Sequence, residues 1–276
     1  VNQPYPGDEV GAQMMLNDEI DHALDMRPAT IQAMLQDPKG DHIITYTGTS
    51  VDEKPYGYVD WWPISMYFNT LEAPYDNTDV RWAMAYAMNQ QTLVDVGWDG
   101  AGEVTEGPFP HYPGITQYFE GEEMQEVLEE YNVLDTDLDK VEELMTKAGY
   151  SKNADGFWAD ENGEALNADI YAAVPLFADI APVAAEILRQ AGFKAEHLAP
   201  PDVWTKKSDG SALLHFFGHG GSVMDPYVTM QMYHSQWQTP TGENCGQNRP
   251  RWANEQYDAI VEEMSRTPVD DTEKMQ

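Results

Sequence analysis

The sequence predicts an α/β fold of the α+β layered kind, with a mixed sheet flanked by helices. Segments with helical periodicity alternate with short strand-like segments along the chain, the pattern of layered domains. Glycines stand where the helical stripes stop. With 276 residues and 42% hydrophobic side chains, the chain can bury a sizeable core in roughly one or two domains.

In chain order, residues 11–35 read as helix, turn and helix. Ile20, Ala23 and Leu24 mark the first, and Ile31, Met34 and Leu35 follow Pro28, which suits a first helical turn. Residues 42–48 and 64–69 have strand composition. The clearest helix spans 77–95. Asn77 or Thr78 caps it, Asp79 suits its N-terminal dipole, and Val80, Ala83, Met84, Ala87 and Met88 share one face. A second runs from Leu138 to Ala148 with Val141, Leu144 and Met145 inward and Gly149 as its stop. Residues 153–171 read as a hairpin with Asp155-Gly156 and Asn162-Gly163 turns. A third helix covers 179–191 (Ile180, Val183, Ala184, Ile187, Leu188) and ends at Gly192; a strand follows at 212–217. The last helix covers 254–265, with Tyr257, Ile260, Val261 and Met264 on one stripe.

Fifteen Lys and Arg stand against 48 Asp and Glu, a net charge of −33 with a pI near 4.2. Such a surface repels a phosphate backbone and an anionic membrane alike, so no nucleic-acid partner is expected. Eight Trp and the hydrophobic share exclude a disordered acidic tail. The acids are spread along the chain, as in Glu122, Glu123, Glu126, Glu129 and Glu130. Their repulsion is relieved when molar salt cuts the Debye length to about 3 Å, so the coat reads as a halophilic adaptation. Cys245 is single, which rules out an intramolecular disulfide or a thiolate metal cluster. No run of about 18 apolar residues is present. Val1–Pro6 lacks a signal-peptide pattern, and both ends of the chain read as cut.

The phosphate-binding glycine motifs, the GxSxG elbow and HExxH are absent. His215 and His219 form a close pair, but Gly218, Gly220 and Gly221 argue against a helix that would aim both at a metal. They read as strand-end histidines, and neither metal nor cofactor is expected. The aromatic residues are more suggestive. Tyr58, Trp61 and Trp62 lie in a Pro-, Gly- and Asp-rich stretch, and Trp237 and Trp252 flank the polar segment 241–248 that holds Asn244. Flat rings beside amides suit a neutral polyhydroxylated ligand, although Trp also fills cores and anchors loops. A glycan hydrolase is the competing reading, and it needs two carboxylates about 5–5.5 Å or 6.5–9.5 Å apart. No such pair is singled out. A surface-layer module is a third reading, opposed by the absence of repeats.

The order of these pieces resembles the family 5 extracellular solute-binding proteins, the peptide- and oligosaccharide-binding components of ABC importers. Asp18-Glu19-Ile20-Asp21 before Arg27-Pro28, Met66 through Thr70, and Pro74 through Asn89 match family segments in family order. So do Leu138 through Tyr150, Asp155-Gly156-Phe157-Trp158, Asp225-Pro226 and Asn254 through Asp258. The resemblance implies a lobe like that of type II periplasmic binding proteins, with no catalysis. Residues 1–48 are then a remnant of the first lobe and hinge, and 49–276 the second lobe, cut before its end. It implies a monomer at the cell surface or outside it, anchored through an upstream segment, that passes its solute to a membrane permease. One lobe is half a cleft, so ligand affinity of this chain alone is expected to be weak or undetectable. Peptide-binding members commonly carry an Asp in a Gly-Trp segment, where this chain has Gly218-His219 followed by Asp225-Pro226. That departure, with the segment from Gly242 to Asn254, favours an oligosaccharide over a peptide. The expected ligand contacts are Tyr58, Trp61, Trp62, His219, Asp225, Trp237, Asn244 and Trp252, while Arg81 is expected to support its own helix.

Overall fold

A computed structural model of the chain describes residues 7–23, 26–46, 48, 50, 52–54, 63–173, 177–218 and 220–275. Helix α1 (Asp8–Leu16) and α2 (Pro28–Gln36) come first, then strand β1 (Ile64–Phe68) and α3 (Thr78–Ala87). Helices α4 (Glu122–Glu130) and α5 (Leu138–Lys147) follow, then β2 (Ser151–Lys152), β3 (Trp158–Ala159) and β4 (Ile170–Tyr171). Helix α6 (Ile180–Gln190), β5 (His197–Leu198), α7 (Val203–Asp209), β6 (Leu214–Gly218) and α8 (Glu255–Met264) complete the main elements.

The main sheet has the order β1-β6-β4-β5, with β4, β5 and β6 mutually parallel and β1 antiparallel to β6. Tyr67 sits opposite His215, and Met66 opposite Phe216. Because side chains alternate across a strand, Met66, Phe68, Leu214 and Phe216 meet the core on one face. Ser65, Tyr67, His215 and Phe217 point the other way. The core cluster joins that first face to Val80, Ala83 and Met84 of α3, Val141 and Met145 of α5, and Ala181, Ala184 and Leu188 of α6, all buried. Helices α3, α5 and α6 carry caps that their sequence announces. Asn77 caps α3 by accepting from the Asp79 amide (2.9 Å), and Asp137 caps α5 by accepting from Lys140 (2.9 Å). Gly192 follows α6 at φ 95°, where a Cβ would lie 3.2 Å from the Gly156 carbonyl. Arg81 donates to the Tyr75 carbonyl (2.6 Å) and to Thr78 (3.0 Å), so it braces the entry to α3.

The predicted 77–95 helix is two pieces. Helix α3 stops at Ala87, Met88 is extended, and Asn89 caps a new turn by accepting from the Thr92 amide (2.8 Å). The carbonyl of Tyr86, left without an intrahelical donor, takes the Asp137 amide (3.0 Å), which ties α3 to α5. The described part of 42–48 forms no strand, and Ile44 and Tyr46 there are exposed. The first helix lies at Asp8–Leu16, upstream of Ile20 and Ala23, because Asp18 turns the chain at φ 58°; Leu24 lies outside the described residues. Ile260 is exposed, so the stripe of α8 is narrower than predicted. Both predicted turns in 153–171 form, but β4 leaves that small sheet to join the main one.

Helices α1 and α2 bury their own small cluster of Ala12, Leu16 and Met34. A two-pronged contact from Arg27 to Asp179 (2.8 and 2.9 Å) fastens this unit to the start of α6. Since Leu188 is fully buried between α6 and the sheet, Leu188→Ala should lower unfolding free energy by about 2–5 kcal/mol. Ile260→Ala should change it by less than about 0.5 kcal/mol. Urea denaturation of the two variants checks both values.

Candidate functional site

A β-crossover-β connection between parallel strands is almost always right-handed. The chain leaves β4 for β5 on one side and then returns past β4 to reach β6 on the other. Helices α6 and α7 therefore fall on opposite faces of the sheet. Contacts agree: α6 packs in the core beneath Phe216, while Trp204 of α7 meets Phe217 edge-on at 6.1 Å. The reversal of strand order lies between β4 and β6, and in open α/β sheets ligands bind in the crevice outside the strands' carboxyl ends at such a point. Phe217 and Gly218 close β6 there, and Phe177 follows β4.

The second face carries an unusual group of bases. The Lys207 Nζ lies 4.1 Å from the Trp204 ring centre, 4.2 Å from Phe217 and 5.5 Å from Phe177. Arg249 places its guanidinium 4.7 Å from the same Phe217 ring. Lys207 and His215 are each 1% exposed. Among the described residues no carboxylate is within ion-pair distance of Lys207, Arg249 or Arg251. Burial and the neighbouring Arg249 charge pull the Lys207 amine down to about 7. Burial, with the Lys207 charge nearby, holds His215 at about 3, so its ring is neutral. The ring stacks on Tyr67 (5.6 Å, 22°), and its Nδ1–H donates to the Ala212 carbonyl (3.3 Å). Arg251 is fully buried and donates to the carbonyls of Ser208 and Glu243 (both 2.9 Å), a cation against the C-terminal end of α7.

Tyr58, Trp61, Trp62 and His219 lie outside the described residues. Asp225 is half-buried, and its carboxylate accepts from the Tyr227 amide (3.0 Å), which fixes its own turn. Trp237 is 39% exposed. Asn244 is exposed next to Cys245, whose amide bonds the Ser208 carbonyl (2.8 Å) near the end of α7. Trp252 is half-buried, edge-on to Tyr257 at 5.1 Å. The structure thus places Asn244 and Trp252 in the segment that covers the second face. Lys207, Trp204, Phe177 and Phe217 are the residues that sequence reasoning missed. No local signal marked the lysine, which stands between Lys206 and Ser208-Asp209 in the sequence.

Lys207 sets a pH dependence. Between about 7 and the ordinary 10.5 the unfolded chain keeps a proton on this amine that the folded chain does not. The unfolded state binds more protons, so stability rises with pH through this window. The wild-type stability minus that of Lys207→Met should climb from pH 7 to pH 9.5, by at most about 1.4 kcal/mol per pH unit. Urea midpoints at several pH values measure it, and a flat difference would show the amine charged in both states.

A heme-binding protein A of Haemophilus influenzae is 32% identical over 92 residues, covering 33% of this chain and 15% of that protein. Di/tripeptide-binding protein 1 of Pseudomonas aeruginosa is 26% identical over 151 residues, covering 54% and 24%. A mannohexaose-bound periplasmic oligopeptide-binding protein of an ABC transporter from Thermotoga maritima superposes with a TM-score of 0.79 at 19% identity. That superposition covers 98% of this chain and 49% of the other, so the fold is a type II-like periplasmic-binding-protein lobe and the chain spans about half of that relative. The matched segments span less than a quarter of the two curated relatives' lengths. The model of the bacterial extracellular solute-binding proteins, family 5 (middle), matches residues 1–240, and the chain belongs to that family.

Proposed function

We propose that this chain is the second lobe, with a hinge-side remnant in residues 1–48, of the solute-binding component of an ABC importer. It captures an oligosaccharide or oligopeptide between two lobes and delivers it to a membrane permease. The observation that carries this reading is the family match over residues 1–240, and the reversal of strand order between β4 and β6 marks where a ligand would sit. Binding without turnover follows from the family, whose members serve transport, and the family gives no support to the glycan-hydrolase reading.

Residues 49–276 form the lobe proper in this reading, and α1 and α2, with their separate cluster, belong to the first lobe and hinge. An oligosaccharide is favoured over a peptide. The half-exposed Trp237 supports a stacking ligand, and the Thermotoga relative is described both as an oligopeptide-binding protein and as mannohexaose-bound. The whole protein works as a monomer at the cell surface or outside it, held by an anchor upstream of this chain, and its acid coat suits molar salt. No helix among the described residues is long and apolar enough to cross a membrane.

A ligand pocket buries roughly 70–90% of its ligand's surface, and one lobe supplies about half of such an enclosure. Tryptophan fluorescence of the two-lobed parent protein in molar KCl should therefore saturate with cello- or xylo-oligosaccharides, while this chain alone gives no saturation. A response to di- and oligopeptides alone would reverse the ligand class. Micromolar binding by this chain alone would remove the need for a second lobe.

A further inference from the structure

The bases behind β6 lack something to neutralise them. The Lys207 Nζ, the Arg249 Nε, and the Nε and Nη1 of Arg251 are all buried donors with no hydrogen-bond partner. An unpaired buried donor costs free energy, and a buried charge costs far more. The chain has 48 carboxylates against 15 Lys and Arg, so counter-charges are abundant, yet none of the described ones is brought here. Cation–π contact with Trp204, Phe217 and Phe177 offsets part of the cost but leaves the N–H groups unmet. Trp204, which roofs the group, is itself 50% exposed, and Arg249 is half-buried, so the cluster lies one side chain below the surface.

We propose that the Lys207–Arg249 pair beneath Trp204 is a binding site for a small monovalent anion. Lys207 supplies the ammonium donors and Arg249 its free Nε–H. Arg251 adds positive field from the end of α7, with Asp209 the nearby carboxylate that opposes it. The neutral His215 ring is a wall of the group. The surrounding rings disfavour a strongly hydrated or multivalent ion and suit a weakly hydrated one such as chloride, or a single carboxylate. Since the Lys207 amine sits near 7 when no anion is present, a proton enters with the anion close to neutrality. The anion then does for the lobe what a partner carboxylate does elsewhere: it turns a costly buried cation pair into a neutralised one.

The test needs no solute, so its outcome is independent of the transport reading. Thermal unfolding of the chain is followed in potassium chloride, acetate and fluoride at matched concentration, for wild type, Lys207→Met and Arg249→Gln. Chloride should raise the wild-type midpoint saturably above fluoride by about 5 °C, and both variants should lose that increment while keeping the general response to ionic strength. An equal increment in acetate also supports the site and makes a carboxylate of the captured solute a source of its anion. An increment in acetate alone supports it with the carboxylate as the sole source. The same increments over fluoride in all three proteins, or no increment over fluoride in wild type with either chloride or acetate, would overturn the proposal. Should a variant fail to fold, wild-type chlorine NMR linewidths decide together with the acetate midpoint: saturable excess broadening at neutral pH supports the site, and its absence with no acetate increment overturns it.

Discussion

The right-handed sense of β-crossover-β connections is the constraint on which this layout depends. Once β5 pairs outside β4 and β6 returns inside it, α6 and α7 have to cover opposite faces of the sheet. The first face then receives α3, α5 and α6, and the largest buried cluster forms there. Among the described residues, the second face receives the short α7 and the irregular segment after residue 230. The strands β4 and β5 are two residues each, so the sheet is narrow. Side chains from the middle of α7 consequently reach the crevice at its carboxyl edge, and chirality thereby places Lys207 beside Phe217.

Charge is divided between the outside and that second face. The exterior is acidic enough to repel itself at low salt, and its visible ion pairs are mostly exposed, as between Lys147 and Asp79 (2.9 Å) or Arg189 and Glu186 (2.5 Å). Such pairs are worth little individually. Inside, the sign reverses: Lys207, Arg249 and Arg251 gather with no carboxylate of the described residues paired to them. Burying a carboxylate beside them would add its own desolvation cost. The aromatic faces add no charge to desolvate, and they hold the bases in a fixed arrangement that leaves several N–H groups free. The same burial drives down the proton affinity of Lys207, which links the charge of this face to pH near neutrality.

The helices were readable wherever one stripe met one core. Val80, Met84 and Ala87, or Ala184 and Leu188, recur at helical spacing, and Gly149 and Gly192 mark the ends. Legibility failed where burial is not periodic. Helix α7 buries only Val203 and Lys207, and two-residue strands have no alternation to detect. Residues 42–46 misled because β-branched and aromatic residues signal a half-buried pleated surface, whereas Ile44 and Tyr46 are exposed. Asn89 interrupted the 77–95 pattern because an Asn side chain competes with the helix by capping the next turn. The site itself depends on strand order, which no local pattern encodes. Trp and Tyr clusters drew attention in the sequence, whereas the base group is assembled by residues 207, 249 and 251 from two distant segments.

Those two segments are joined without regular structure: the amides of Gly242 and Cys245 donate to the carbonyls of Asp209 (2.7 Å) and Ser208 (2.8 Å), and side chains supply further bonds. Asn248 is fully buried; its amide donates to the carbonyls of Tyr233 (3.1 Å), His234 (3.3 Å) and Trp252 (2.7 Å), and its oxygen accepts from the Trp252 amide (3.1 Å). Cys245 adds a thiol contact to the Asn248 carbonyl (3.0 Å). From the strand side, Asn69 donates to Gly210 (2.9 Å) and to Thr241 (3.0 Å). Gly210 leaves α7 at φ 80°, and a Cβ there would come within 2.5 Å of the Arg251 guanidinium carbon. The arginine can therefore lie flat over the end of α7 only because that position is glycine. With Arg251 and Asn248 fixed, Arg249 between them has its backbone direction set and its side chain turned onto Phe217. The loop is therefore the part of the fold that converts a bare sheet face into a cationic one.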